Sequence, residues 1–357
     1  MAGLPPYLAT AALRRSVPLS VHVDLTMRCN EVCAHCYRVV EAERPELTLE
    51  ELRDLFEDLA RLGTLYLTFS GGEIFLRPDL LDIVAEAKRR RFDVRLKTNA
   101  MLVSEARARA LRQLGVRQVD VSVYSADAGV HDDVTGVPGS LARTVAGIAR
   151  LREAGLHVRI NCPLMTVNVR AYRDVQALAE RLDVTCGFDP MITARNDGDR
   201  APVRLRIGGA ALREVLRDPT LRPKTACPPG ADDRPAPAGF DDVACGAGHV
   251  AGYVSAYGDV MPCVALPIAC GNVREAPFSV LWRGAPRMLE VRAIRVRDLH
   301  TCAGCEAAAF CTRCPGQALV EDGDLRGPSL ASCEHAMASA EMAGYALIPP
   351  PIAQARR

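Results

Sequence analysis

The sequence predicts an α/β fold built on a parallel sheet, and three observations carry that prediction. Six short β-type runs alternate with amphipathic helical patterns between residues 20 and 190, the connections are short, and several helical patterns end in glycine. Parallel strands need a crossover, and a helix supplies it. An open doubly wound sheet and a partial β/α barrel both satisfy the pattern. Both place chemistry at the C-terminal ends of the strands.

The strands are expected at 19–25, 65–70, 93–98, 118–124, 157–164 and 184–190. In the first crossover, LTLEELRDLFEDLARLG sets Leu52, Leu55, Phe56, Leu59 and Leu62 on one face, with Thr48 to cap the start and Gly63 to stop it. PDLLDIVAEAKRRR, SEARARALRQLG, SLARTVAGIARLREAG and AYRDVQALAERL continue the alternation. The pattern breaks at 219–239, where six prolines mark a linker or an extended wrap. From residue 245 the chain is cysteine-rich, with a short hairpin-like stretch, GYVSAYGDVMPC, and IPPPIAQARR reads as a frayed end. The expected organisation is a lead-in (1–18), a β/α core (19–218), a proline-rich linker (219–244), a cysteine-rich domain (245–340) and a tail (341–357).

Among 357 residues, 44 Lys and Arg balance 43 Asp and Glu, so no global field draws in nucleic acid. The start, MAGLPPYLATAALRRSVPLS, puts its charge after its apolar stretch, the reverse of a secretory signal, and no apolar run is long enough to cross a bilayer. A cytoplasmic protein without membrane or nucleic-acid partners is expected. Fourteen cysteines in such a chain point to metal or redox chemistry rather than a disulfide framework.

Cys29, Cys33 and Cys36 form C-x3-C-x2-C directly after the first strand, where an active-site loop belongs. Structural zinc wants four protein ligands, and an electron-transfer [4Fe–4S] cluster usually has four cysteines. Three close thiolates can leave one iron open to a small molecule. A closed site completed by a distant ligand such as His35 is the alternative. One β-α unit later, Ser70-Gly71-Gly72-Glu73 follows the second strand. Adjacent glycines let the backbone approach a ligand and bare its N–H groups, and the Glu73 carboxylate can receive a cation such as an α-ammonium.

These motifs resemble those of the radical S-adenosylmethionine (SAM) enzymes. Cys29-x3-Cys33-x-His35-Cys36 is similar to their cluster loop, Gly71-Gly72-Glu73 to their motif for the methionine amino group, and TNA (98–100), SVYS (122–125) and HDDVTGVPGS (131–140) to later family segments. Ser122 matches the ribose-contacting serine, while Tyr124 stands where many relatives have Asp. The resemblance covers roughly residues 18–190. It implies a partial (β/α)6 TIM-like barrel that binds a [4Fe–4S] cluster and SAM, with His35, Gly71, Gly72, Glu73 and Ser122 on the cofactor side. An electron from the cluster would break the SAM sulfur–carbon bond, and the resulting 5′-deoxyadenosyl radical would take hydrogen from the substrate.

Downstream, Cys245-x12-Gly258-x4-Cys263 precedes Cys302-x2-Cys305-x5-Cys311-x2-Cys314, and Cys333 follows 18 residues later. Paired CxxC units alone suggest a zinc ribbon, yet seven cysteines are awkward for two closed zinc sites, which need eight ligands, although Cys227 could supply the eighth. The array resembles the SPASM extension of peptide-modifying radical enzymes, which implies two auxiliary iron–sulfur clusters. Carried over, Cys245, Cys263 and Cys314, with Cys227 as fourth, would hold the first. Cys302, Cys305, Cys311 and Cys333 would hold the second. The family usually has three residues where this chain has two before Cys314.

Cys162 and Cys186 lie in strand-like runs and read as packing residues. Cys270 is an alternative ligand by position, and the run Lys88-Arg89-Arg90-Arg91 reads as a solvated helix end. The SPASM resemblance implies a peptide or protein substrate, as in ribosomal-peptide maturation, and an electron donor. Leader binding by a separate protein is expected, because no room for such a domain precedes Cys29. No residue is singled out as acid, base or hydrogen donor. The alternatives are a radical enzyme acting on a sugar or cofactor precursor, and a non-catalytic iron–sulfur or zinc protein.

Overall fold

The structure, a computed structural model, describes residues 5–41, 44–221 and 239–347. Cys227, most of the proline-rich stretch and the final residues lie outside the described residues. All six expected strands form: β1 (Ser20–Thr26), β2 (Tyr66–Gly71), β3 (Asp93–Thr98), β4 (Gln118–Ser122), β5 (Val158–Pro163) and β6 (Thr185–Asp189). Two more come from the cysteine-rich region, β7 (Ala251–Val254) and β8 (Val260–Met261). The sheet order is β6-β5-β4-β3-β2-β1-β7-β8, parallel from β1 to β5 and between β1 and β7, with β8 antiparallel at the edge. The hairpin expected at GYVSAYGDVMPC therefore forms, and its first strand extends the main sheet beside β1.

Packing groups the chain into two compact units. One comprises residues 1–162, 171–187 and 246–292; the other comprises 163–170, 188–245 and 293–357. In the first unit, helices α1 (Pro6–Arg15), α2 (Leu49–Leu62), α3 (Leu80–Arg89), α4 (Glu105–Gln113), α5 (Ala128–Thr135), α6 (Ser140–Glu153) and α7 (Tyr172–Arg181) supply the crossovers and flanks. Thr48 caps α2 through a capping box with Glu51, and Gly63 ends it in the left-handed conformation, as the sequence predicts.

The two faces of the sheet differ in chemistry. Val21, Val23, Leu25, Leu67, Phe69, Val94, Leu96, Val119, Val121 and Ile160 are buried on the helix-covered face, where Phe56 stacks on Phe69. The alternate residues form lateral rows across the other face. One row runs Tyr253–His22–Thr68–Arg95–Gln118. The next pairs Asp24 with Ser70, and Lys97 with Asp120 and Arg159. Thr68, Arg95 and Arg159 are only half-buried and Lys97 is exposed, so this inner face is polar and reached by solvent rather than a core.

In the second unit, the helix Gly209–Arg217 packs on Leu330–Met342. A buried Arg206–Glu321 pair lies at its centre: Nη1 donates to Oε2 at 2.9 Å and Nε to the Ile192 carbonyl at 2.7 Å. The Ala194 N–H also donates to Glu321. The pair thus comes with the further hydrogen bonds that a buried ion pair requires.

Gly147 on α6 faces the turn after β3, where a Cβ would collide with the Ala100 carbonyl. Alanine normally favours a helix interior by ~1 kcal/mol over glycine. Here Gly147→Ala is expected to destabilise the protein by about 1–3 kcal/mol through forced displacement. Denaturant unfolding checks the sign; a gain in stability would mean that α6 does not press on this turn.

Candidate active site and metal centres

The loop carrying Cys29, Cys33 and Cys36 leaves β1 at its C-terminal end and is held by its backbone. The N–H groups of Val32 and Ala34 donate to the carbonyls of Thr135 and Val134 at the end of α5, each at 2.9 Å. The HDDVTGVPGS segment explains why α5 sits there. Asp132 accepts from Ser140 Oγ at 2.7 Å and from the Leu141 N–H at 3.0 Å, joining α5 to the start of α6. Ser140 also meets Thr135 Oγ1 at 2.8 Å and His131 Nδ1 at 3.0 Å.

Gly71 and Gly72 have a role within the fold itself. The Gly72 N–H donates to the Thr26 carbonyl at 2.7 Å and the Glu73 N–H to the Arg28 carbonyl at 2.9 Å, so these two donors are turned to the protein's own backbone. A Cβ at either glycine would collide with those same carbonyl oxygens, and Gly71 has φ +120°. The glycines therefore let the end of β2 lie directly on the root of the cysteine loop.

Glu73 is fully buried. Its carboxylate accepts from the N–H groups of Phe75 (2.9 Å) and Asn99 (2.8 Å) and from the Thr98 hydroxyl, 2.8 Å from both oxygens. Three protons for four lone-pair sites leave one acceptor position open. Burial pushes the Glu73 carboxyl up to about 7, against the downward pull of these bonds.

The three thiols share one neighbourhood. Cys33 Sγ donates to Glu31 Oε2 at 3.3 Å and lies 3.7 Å from the Tyr124 hydroxyl, which is also hydrogen-bonded with Ser122. Arg38 Nε donates to Cys36 Sγ at 3.3 Å and lies close enough to Cys29 to feel its charge. Burial raises Cys29, and raises Cys33 strongly with added repulsion from Glu31. The His35 ring packs edge-on against Tyr124, 4.8 Å between centroids, and burial lowers it to about 4, so it is neutral near pH 7. His35 Nδ1 is buried without a partner.

In the second unit, Cys302, Cys305, Cys311 and Cys333 come together. Burial pushes Cys333 up to about 12, and repulsion from Cys311, Cys302 and Cys305 adds to it. Cys311 rises to about 11 for the same reasons, burial first and then Cys302 and Cys305. Arg313 reaches Cys302 and also donates from Nε to the Gly327 carbonyl at 2.8 Å. Crowded, raised thiols hold their protons until a metal displaces them, which suits an iron–sulfur ligand set. Cys263 belongs to the first compact unit and Cys245 and Cys314 to the second. Among the described residues, no three His, Cys, Asp or Glu side chains converge at the spacing a single ion needs.

Cys270 is buried and donates to the Ile268 carbonyl at 3.4 Å, with Arg292 and Arg287 as its charged neighbours rather than other thiols. Cys162 is buried and Cys186 half-buried, near enough to influence one another. The basic run ends α3, where Arg90 Nη1 bonds Glu86 at 2.9 Å. Thr98, Asn99, Glu31 and Arg38 were not singled out by the sequence. Thr98 and Asn99 lie inside the TNA segment, but nothing in a three-residue motif tells which atom faces Glu73. Among the described residues, no helix is long and apolar enough to cross a membrane.

A thiol triad after β1, beside a buried carboxylate after β2, is the arrangement expected for SAM radical chemistry. Residues 23–180 match the model of the radical SAM superfamily, and residues 245–315 match the SPASM iron–sulfur cluster-binding domain. The chain is a radical SAM enzyme with a SPASM domain, and its cofactors are a [4Fe–4S] cluster, SAM and auxiliary iron–sulfur clusters.

It is 27% identical to the AdoMet-dependent heme synthase of Nitratidesulfovibrio vulgaris over 84% of this chain and 88% of that protein. It is 28% identical to the mycofactocin maturase MftC of Mycobacterium ulcerans over 84% of this chain and 85% of that protein. With the PqqA peptide cyclase of Rhodopseudomonas palustris it shares 34% identity over 47% of this chain and 45% of that protein. The fold is shared with Streptococcus suis SuiB bound to its precursor peptide SuiA, at TM-score 0.65, 16% identity, and coverage of 92% of this chain and 81% of that chain.

The raised Glu73 carboxyl sets a pH dependence. An α-ammonium held by Glu73, as the sequence motif implies, would pair with the carboxylate form, which predominates only above pH of about 7. SAM affinity is expected to be full above that value and to fall, approaching roughly tenfold per pH unit, as pH drops through it. Equilibrium binding across this range checks it, and Glu73→Gln should bind weakly with no such slope. In the second unit, a Cys302→Ala/Cys305→Ala variant is expected to lose about four irons per chain. Iron analysis checks this; unchanged iron would exclude these two residues as ligands.

Proposed function

We propose that this chain cleaves SAM reductively at Cys29, Cys33 and Cys36 and removes hydrogen from a peptide or protein side chain, in the manner of ribosomal-peptide maturation. The observation that carries this reading is the combination of an open thiol triad with a SPASM domain in one chain. The mycofactocin maturase MftC is similar across 84% of this chain, and the PqqA peptide cyclase across 47%. When bound, the cluster and SAM supply the one-electron bond cleavage and the 5′-deoxyadenosyl radical.

The residues of the chain hold, orient and exclude. Glu73, fixed by Thr98 and Asn99, takes the methionine ammonium on its remaining acceptor position. Ser122 would contact the ribose, and His35, Gly71 and Gly72 lie on the cofactor side. Cys302, Cys305, Cys311 and Cys333 hold one auxiliary cluster, and Cys245, Cys263 and Cys314, with Cys227, hold the other. The inner face of the sheet receives the substrate. There Tyr253 donates to buried Asp24 at 2.8 Å, and His22 meets the other Asp24 oxygen at 3.0 Å, giving a polar floor beneath the site. An electron donor and a separate leader-binding protein complete the system, which works in the cytoplasm.

A second reading has specific support. The heme synthase is similar over nearly the full length. Among the described residues, Lys97 and Arg159, in one lateral row with Asp120, have no carboxylate within ion-pair reach. Two unpaired cations suit the carboxylates of a cofactor precursor such as a porphyrin.

One experiment separates the readings. The reconstituted enzyme is given SAM and reductant with either a fully deuterated peptide digest or iron coproporphyrin III. Deuterium in 5′-deoxyadenosine from the peptide pool supports the proposal. Stimulation by the porphyrin alone replaces it with the second reading.

A further inference from the structure

The cysteine loop is followed by an arginine whose charge has no ordinary partner. Arg38 is half-buried, and among the described residues no carboxylate lies within ion-pair distance of it. Its Nη1 donates to the Met27 carbonyl and its Nε to Cys36 Sγ at 3.3 Å. The guanidinium is thus fixed at two points, one at the root of the loop and one on a thiol. Gly72 preserves the space: a Cβ there would come within 3.0 Å of Arg38 Nη1. In an iron-loaded site the thiolates would face this cation, Cys36 in direct contact and Cys29 nearby. A half-buried cation without a carboxylate is costly unless something anionic faces it.

Iron–sulfur potentials are set partly by net charge and by hydrogen bonds to the sulfurs. Reduction adds one electron to the cluster, so a fixed cation and an N–H···S bond stabilise the reduced state more than the oxidised one. We propose that Arg38 raises the reduction potential of the cluster on Cys29, Cys33 and Cys36, through its bond to Cys36 Sγ and its uncompensated charge. It acts on the cluster through a ligand and is a tuning residue, not a catalytic one. The inference rests on the triad binding a [4Fe–4S] cluster.

The test uses the full chain with all clusters reconstituted, and variants Arg38→Met, which keeps length without charge, and Arg38→Lys, which keeps charge without the planar fork. Iron content is measured first. Each protein is then titrated with dithionite against mediator dyes. The electron paramagnetic resonance signal that SAM perturbs reports this cluster apart from the auxiliary ones.

With iron unchanged, Arg38→Met is expected to lower the reduced-to-oxidised ratio at a fixed poise about tenfold, ~59 mV for a one-electron couple. Arg38→Lys should lie between it and the wild type. An unchanged ratio in Arg38→Met with full iron overturns the proposal. So does loss of this cluster's iron in both variants, which would make Arg38 a structural support of the loop. If the wild type itself shows no signal that SAM perturbs, the failure lies with the cluster reading and not with Arg38.

Discussion

The site depends on one backbone crossing. The end of β2 lies on the end of β1 so closely that only glycine fits at positions 71 and 72, and two N–H···O=C bonds, to Thr26 and Arg28, fasten them. That contact fixes the root of the cysteine loop, the position of Glu73 and the room for Arg38 together. From Glu73 the constraint passes to β3 through Thr98 and Asn99, and from the Asn99 carbonyl to Thr144 on α6 at 2.9 Å. Displacing any one of these strand ends would move a ligand-facing group on another.

The same sheet shows how a polar face can sit on a stable fold. Its outward side chains are aliphatic and aromatic, closed over by helices, and supply the apolar burial that stabilises the unit. Its inward side chains are polar, joined by short local bonds such as His22–Asp24–Tyr253, and several remain reachable by water. Period-two alternation therefore separates stability from chemistry along each strand. The cysteine loop needs outside support because its own side chains, once committed to iron, cannot pack. Backbone bonds to α5 provide it.

Much of this was legible in the sequence. The strand runs and the Thr48 cap and Gly63 stop of α2 follow from local periodicity and spacing, which the chain carries explicitly, whereas the grouping of Cys302, Cys305, Cys311 and Cys333 comes only from the family resemblance. The role of Gly71 and Gly72 was legible only in part. Two adjacent glycines announce a close approach but not its partner, and the partner here is the protein's own backbone. That β7 joins the main sheet beside β1, and that Lys97, Asp120 and Arg159 share a row, follow from register between distant segments, which no local pattern encodes. No sequence pattern marks Arg38, because the absence of a carboxylate around it among the described residues is a property of three dimensions.

The central claim is that Cys29, Cys33 and Cys36 hold the cluster that cleaves SAM. The most direct measurement is anaerobic formation of 5′-deoxyadenosine by the reconstituted protein, run beside a Cys29→Ala/Cys33→Ala/Cys36→Ala variant with iron counted in both. The account predicts that the wild type forms it, while the variant forms none yet keeps the iron of its auxiliary clusters. Formation of 5′-deoxyadenosine by the variant, or none by a wild type with every cluster in place, would contradict it.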